Sequence, residues 1–194
     1  MTTPDWDSAR AQFPTLQKKI YLNSCSLGLL SRRSRDALNK YMDLWEEKGA
    51  AAWYVEWLAE MEDLREQFAR LINASADEIA IMPSISATLA AITSSIDLQE
   101  GDQLVTGELD FPTVAHGFHA KARSGVETTV VRSDDRVMVS PEQFEQAISE
   151  RTRLVATSRV YFTSGYIQDI STICDAAHNA GAITFVDDYQ ATGQ

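Results

Sequence analysis

Apolar side chains recur three and four positions apart between Ser31 and Asn73: Leu38, Met42 and Trp45, then Trp57, Leu58, Met61, Leu64, Phe68 and Leu71. That spacing is the period of an amphipathic helix, and Gly49 is expected to split the stretch into two helices. The Trp and Met stripe fits a core or subunit interface better than a cofactor site. The acidic stretch from Glu56 to Glu66 fits a solvated helix face. Beyond Asn73 the pattern changes to short apolar runs separated by helical stretches. Residues 78–82, 103–107, 127–132, 153–160 and 182–187 read as five strands. Ser140-Pro141-Glu142-Gln143 offers a capping box with Pro at the first helical position, and Gly181 ends the helix that carries His178. Strands alternating with helices predict an α/β fold with a mostly parallel, doubly wound sheet. The chain has no low-complexity linker and no internal repeat.

Composition narrows the function classes. With 17 Lys and Arg against 28 Asp and Glu, the formal charge is −11, which argues against a nucleic-acid-binding surface. No apolar run approaches the ~18 residues of a membrane span, and Met1 to Arg10 lacks the layout of a signal peptide. A cytoplasmic protein is the expectation, and the two cysteines, Cys25 and Cys174, fit it as small core residues rather than a disulfide framework.

In a parallel sheet ligands bind beyond the carboxyl ends of the strands, so the residues there are the candidates for chemistry. Ser84, Ser86 and Thr88 crowd three hydroxyls at a strand-to-helix junction, either as an anion site or as ordinary N-caps. Val186-Asp187-Asp188 follows an apolar strand, but the G-x-x-x-x-G-K-[ST] loop that would accompany a Mg²⁺ carboxylate is missing, as is the G-x-G-x-x-G dinucleotide fingerprint. A carboxylate there can instead pair with a cationic ring nitrogen. His116 and His119 lie three apart without a nearby third ligand, so no metal site is assigned, and His178 is expected to sit structurally near a helix C-terminus.

Taken in order along the chain, these strand ends resemble the aminotransferase class V family of fold-type I pyridoxal-phosphate (PLP) enzymes, which includes cysteine desulfurases and kynureninases. The resemblance runs from Ile20-Tyr21-Leu22-Asn23-Ser24 to the last residue. It implies the three-layer large domain of the PLP-dependent transferase fold, incomplete at the C-terminus. Residues 1–73 would be an N-terminal arm and helices, and residues 74–194 a partial cofactor-binding domain. It places the PLP phosphate at Ile85 and Ser86 with Thr113 nearby, the stacking ring at Phe111, the partner of the pyridine nitrogen at Asp187, and a ring-oxygen contact at Gln190. Residues Asn23 to Gly28 would line the substrate mouth. Phe111-Pro112-Thr113 and Val160 to Gly165 look more like kynureninases than desulfurases, yet Val114 stands where kynureninases usually have Asp and Gln190 where they have His.

The implied activity is that of a PLP enzyme acting on an amino acid through an external aldimine and carbanion, as a kynureninase-like hydrolase, a lyase, an epimerase or an aminotransferase. The family's Schiff-base Lys matches no residue here. Lys18, Lys19, Lys40, Lys48 and Lys121 all precede Asp187, and the Lys position lies beyond Gln194. No catalytic residue is therefore assigned, and the chain alone is expected to be inactive, with sheet edges and apolar faces left uncovered. The expected partners are an amino-acid substrate and either a second copy in a homodimer or a missing C-terminal portion or complementary chain, with no nucleic acid and no membrane. The alternatives are one subunit of a split PLP enzyme or a non-catalytic binding module.

Overall fold

The computed structural model describes residues 5–193, and the chain divides between residues 80 and 81 into two compact units. The first holds α1 (Trp6–Ala11), α2 (Arg32–Lys48) and α3 (Leu58–Ile72). Ser31 caps α2, its Oγ accepting the Ser34 N–H at 2.9 Å. Gly49 ends α2 at φ 54, a conformation that favours glycine, so the stretch is divided where the periodicity predicts. A 3-10 turn (Gly49–Ala51) and a π-helical turn (Trp53–Trp57) lead into α3, which stops at Asn73 in the left-handed region.

The helical stripe does not form a core within this unit. Ala52, Trp57 and Ala69 are buried there, whereas Leu38, Met42, Trp45 and Leu64 are exposed. Tyr41 stacks on Trp57 with ring centroids 4.6 Å apart, and Trp53 meets the same ring edge-on at 5.2 Å. Two helices without a covering layer cannot enclose a stripe this wide, so the positions expected in a core or subunit interface face outward here. Cys25 is exposed and Cys174 half-buried, so the expected burial fails at Cys25, which lies in a turn where the Ser26 N–H reaches the Asn23 carbonyl at 3.1 Å.

The second unit is built on four parallel strands, β1 (Gln103–Gly107), β2 (Glu127–Val131), β3 (Thr152–Ser158) and β4 (Ile183–Asp187), in the order β2-β1-β3-β4. Its helices are α4 (Ile85–Ser95), α5 (Pro112–His119), α6 (Pro141–Ala147) and α7 (Ile170–Asn179). Alternate side chains of the central strands enter two separate cores. Leu104, Leu154 and Ala156 pack with Leu89, Val114 and Phe118 from α4 and α5. Val105 and Val155 pack with Phe144, Ile173 and Ala177 from α6 and α7. This is a three-layer arrangement, with every residue of β1 buried and the edge strands β2 and β4 more exposed. The capping box at Ser140 and Gln143 is present, and Gly181 closes α7 at φ 77, its N–H bonded to the His178 carbonyl at 2.9 Å.

The first of the five expected strands, residues 78–82, is not one. Ala76–Glu78 is a 3-10 turn fixed by a Ser75–Glu78 capping box, and Ile79 is extended, but among the described residues nothing pairs with it. An apolar run marks extended backbone, while a strand also needs a ladder partner. The run at residues 153–160 overshoots at its end for a different reason. After Ser158 the chain turns back on itself, with Val160 opposite Ile167 and the Gln168 N–H on the Arg159 carbonyl at 2.7 Å. No helix among the described residues is long and apolar enough to cross a membrane.

Candidate functional site

The strand order places a switch point between β1 and β3, where the chain leaves β1 toward β2 on one side and β3 lies on the other. Connections diverge there and open a crevice beyond the carboxyl ends. Asp110, three residues past β1, spans it. Its Oδ2 accepts the Gly107 N–H at 2.7 Å and the Thr106 hydroxyl at 3.1 Å, and its Oδ1 accepts the Ser158 N–H at 2.6 Å and the Thr157 hydroxyl at 3.4 Å. Burial pushes the Asp110 carboxyl up to about 6, with the Ser158 and Gly107 N–H groups pulling the other way. Glu108, by contrast, is held below the usual carboxylate range by the Ser133 N–H and Arg132.

Phe111 follows at once. Its exposed ring lies edge-on to Phe162 from the β3 side, centroids 5.2 Å apart, so the two aromatic side chains wall the crevice from both strands. Pro112 then starts α5, which brings Thr113 within 2.6 Å of the Ser86 hydroxyl. The serines near the start of α4 have separate tasks. Ser84 is the N-cap, its Oγ accepting the Ala87 N–H at 3.2 Å, and Ser86 leaves capping to it. The first N–H groups of α4, at Ile85 and Ser86, have no intrahelical acceptor, so hydroxyls and positive helix-end dipole point to one anion-sized locality.

Asp187 ends β4 in register with Ser158 and is buried. Burial raises its pKa, and the neighbouring Asp188 adds to the rise, while the Tyr189 N–H, 3.0 Å from Oδ1, lowers it. Among the described residues no cationic side chain pairs with Asp187, because Arg159 is directed to Asp188 at 3.0 Å. Gln190 lies half-buried in the turn after β4, which the Ala191 and Thr192 N–H groups close onto the Asp188 carbonyl. Thus the structure joins Ser86 to Thr113 and Phe111 to Phe162, and sets Asp187 beside the end of β3. Asn23 to Gly28 belong to the first unit, where the Tyr21 hydroxyl donates to the Leu27 carbonyl at 2.6 Å. His116 and His119 are exposed in the last turn of α5, and no group of three or more metal-ligating side chains gathers among the described residues.

The family model for aminotransferase class-V matches residues 22–194. The chain belongs to the aminotransferase class-V family. An uncharacterized aminotransferase, YcbU of Bacillus subtilis (strain 168), is 36% identical over 184 residues, covering 95% of this chain and 48% of that protein. A kynureninase of Shouchella clausii (strain KSM-K16) is 29% identical over 87% of this chain and 42% of its own length. The chain spans about half the length of the curated class-V relatives it matches. Its fold is also found in C-DES, solved as a mutant with glycine covalently linked to its PLP cofactor. The TM-score is 0.86 at 21% identity, over 98% of this chain and 51% of that one. A cysteine desulfurase from Thermococcus onnurineus NA1, in its apo form, gives 0.80 at 22% identity over 100% and 49%.

Sequence reasoning passed over two residues that shape this class-V crevice. Asp110 sits two positions from Glu108 in a strand-end segment, and no spacing rule separates the buried acid from the solvated one. Phe162 counts in the sequence only toward the likeness of Val160 to Gly165 to kynureninases and not as a partner of Phe111, since their contact crosses 51 positions of sequence, 162 − 111.

Proposed function

We propose that the carboxyl ends of β1, β3 and β4 hold pyridoxal 5'-phosphate in an enzyme acting on an amino acid. The hydroxyls of Ser86 and Thr113, with the free N–H groups of Ile85 and Ser86, bind the phosphate. Phe111 covers the ring and excludes water from it. Asp187 pairs with the protonated ring nitrogen, and Gln190 contacts the ring oxygen. The observation that carries this assignment is Asp187: a buried carboxylate with no cationic partner among the described residues is at odds with its own ionisation, and a cationic ring nitrogen supplies the missing charge. When bound, PLP supplies an electron sink for bond cleavage at the amino acid. The ionised Asp187 keeps a proton on the ring nitrogen, and the Tyr189 N–H holds the carboxylate in place.

In the same proposal residues 1–73 serve as N-terminal arm and helices, and residues 74–194 as part of the cofactor-binding domain. The Schiff-base amine and the group that clamps the substrate carboxylate come from outside residues 1–194. The exposed stripe on α2 and α3 packs against a second copy or the remainder of the enzyme.

The test uses the intact enzyme, with PLP binding followed by absorbance and visible circular dichroism. Asp187→Asn is expected to weaken PLP binding about tenfold or more, the size of a lost charge-assisted pair. Ser86→Ala is expected to weaken it by a smaller factor. Unchanged affinity and spectrum in Asp187→Asn would remove the assignment.

A further inference from the structure

Asp110 has no task in the cofactor assignments above, yet the end of the sheet is organised around it. The last register pair of the β1–β3 ladder is Thr106 with Ala156. Past that pair, the Gly107 and Ser158 N–H groups both turn to the Asp110 carboxylate, at 2.7 and 2.6 Å. A side chain thus continues, across the switch point, the connection that the backbone gives up.

We propose that Asp110 is a positioning residue: its carboxylate ties the carboxyl ends of β1 and β3 together and so fixes where Phe111, the next residue, presents its ring to the cofactor. This rests on Phe111 being the cofactor platform. The space around the carboxylate is built for it. A Cβ at Gly107 would stand 2.9 Å from Asp110 Oδ2 and 3.2 Å from Phe144 Cζ, so only a bare backbone lets the acid come this close. The same carboxyl oxygens meet donors from both strands, and the ring it carries on the following residue meets Phe162 from the β3 side.

The groups facing Asp110 are Thr106 and Gly107 from β1, Thr157 and Ser158 from β3, Phe144 from α6, and Tyr161 from the turn after β3. Tyr161 is the titratable one among them. Its phenol donates nothing to Asp110, accepts the Gln168 side-chain N–H at 2.8 Å, and is kept neutral by burial and by the Asp110 charge. No Lys, Arg or His forms an ion pair with Asp110 among the described residues. The ionised carboxylate accepts from all four donors with charge-assisted bonds, and protonation weakens them. Burial raises the carboxyl to about 6, so the tie tightens as pH rises through that value. An acid held against its own ionisation at the end of two strands is one of the arrangements found at functional sites.

The experiment compares the intact wild-type enzyme with Asp110→Asn and the milder Thr157→Val, each first checked for cooperative unfolding. In the wild-type apoenzyme, the NMR amide shifts of Gly107 and Ser158 should titrate together with a midpoint near 6, and Asp110→Asn should abolish that titration. PLP affinity should fall about tenfold in Asp110→Asn and by less in Thr157→Val, with altered visible circular dichroism of the bound cofactor in both. A wild-type enzyme that binds no PLP would overturn the cofactor assignment itself. A wild-type enzyme that binds PLP, beside a folded Asp110→Asn with the same affinity and dichroism, would overturn the positioning role alone. If Asp110→Asn does not fold, unchanged affinity and dichroism in Thr157→Val decide against it in the same way.

Discussion

Trp45 and Phe144 are both large aromatic residues on the apolar stripe of a helix, yet Trp45 is 60% exposed and Phe144 is fully buried. Both helices carry apolar side chains three or four positions apart, Leu38, Met42 and Trp45 in α2 and Phe144 and Ala147 in α6. What differs is the covering layer: α6 lies against a sheet whose alternate side chains, Val105 and Val155, receive it, whereas the stripe on α2 and α3 has no such layer within its own unit. An amphipathic pattern specifies which face wants cover and leaves open what supplies it.

That contrast can be broken first at its buried pole. Phe144→Ala is expected to lower the unfolding free energy by about 3–5 kcal/mol in denaturant titrations, because the removed ring touches the core from α6 to β1. A loss under about 1 kcal/mol would mean that this layer is not packed as described.

The next effect is a pH dependence. Asp110 is raised from 3.8 to about 6, so between those values the folded state keeps a proton that the unfolded chain releases. Stability should therefore fall as pH rises from about 4 to about 6, by on the order of 3 kcal/mol, and stay level above that window as far as this group is concerned. Asp187 is shifted in the same direction, so the decisive quantity is the difference between wild type and Asp110→Asn measured across that window. Parallel curves would refute the burial of an ionisable group there.

Gly107→Ala is a smaller perturbation at the same place. The added methyl would meet Asp110 Oδ2 and Phe144 Cζ, and a loss of about 1–3 kcal/mol in thermal or denaturant unfolding is expected. At the exposed pole, Trp45→Ala should change the stability of this chain by no more than about 0.5 kcal/mol. A larger loss that grows with protein concentration would show the α2 face to be covered by a second copy in solution.

Much of the second unit was legible from its sequence because its strands are short runs rich in apolar and β-branched residues, and in the central one, residues 103–107, every residue is buried because both faces of the sheet are covered. Residues 78–82 carry the same texture and form no strand, since pairing is a property of a partner and not of the run itself. Near the start of α4 the hydroxyl cluster is visible in the sequence, but only the fold divides it into Ser84, which caps the helix, and Ser86, which meets Thr113. Asp110 was illegible for a related reason. Its meaning lies in bonds to Thr157 and Ser158, 47 and 48 positions away, and neither periodicity nor composition encodes such a contact.

Asp187 is proposed to face a cationic pyridine nitrogen. The measurement that bears on it most directly is the nitrogen NMR shift of PLP labelled with ¹⁵N in its ring, bound to the intact enzyme at neutral pH. A protonated ring nitrogen in wild type that becomes unprotonated in Asp187→Asn is the predicted result. The same shift in both proteins would contradict the account.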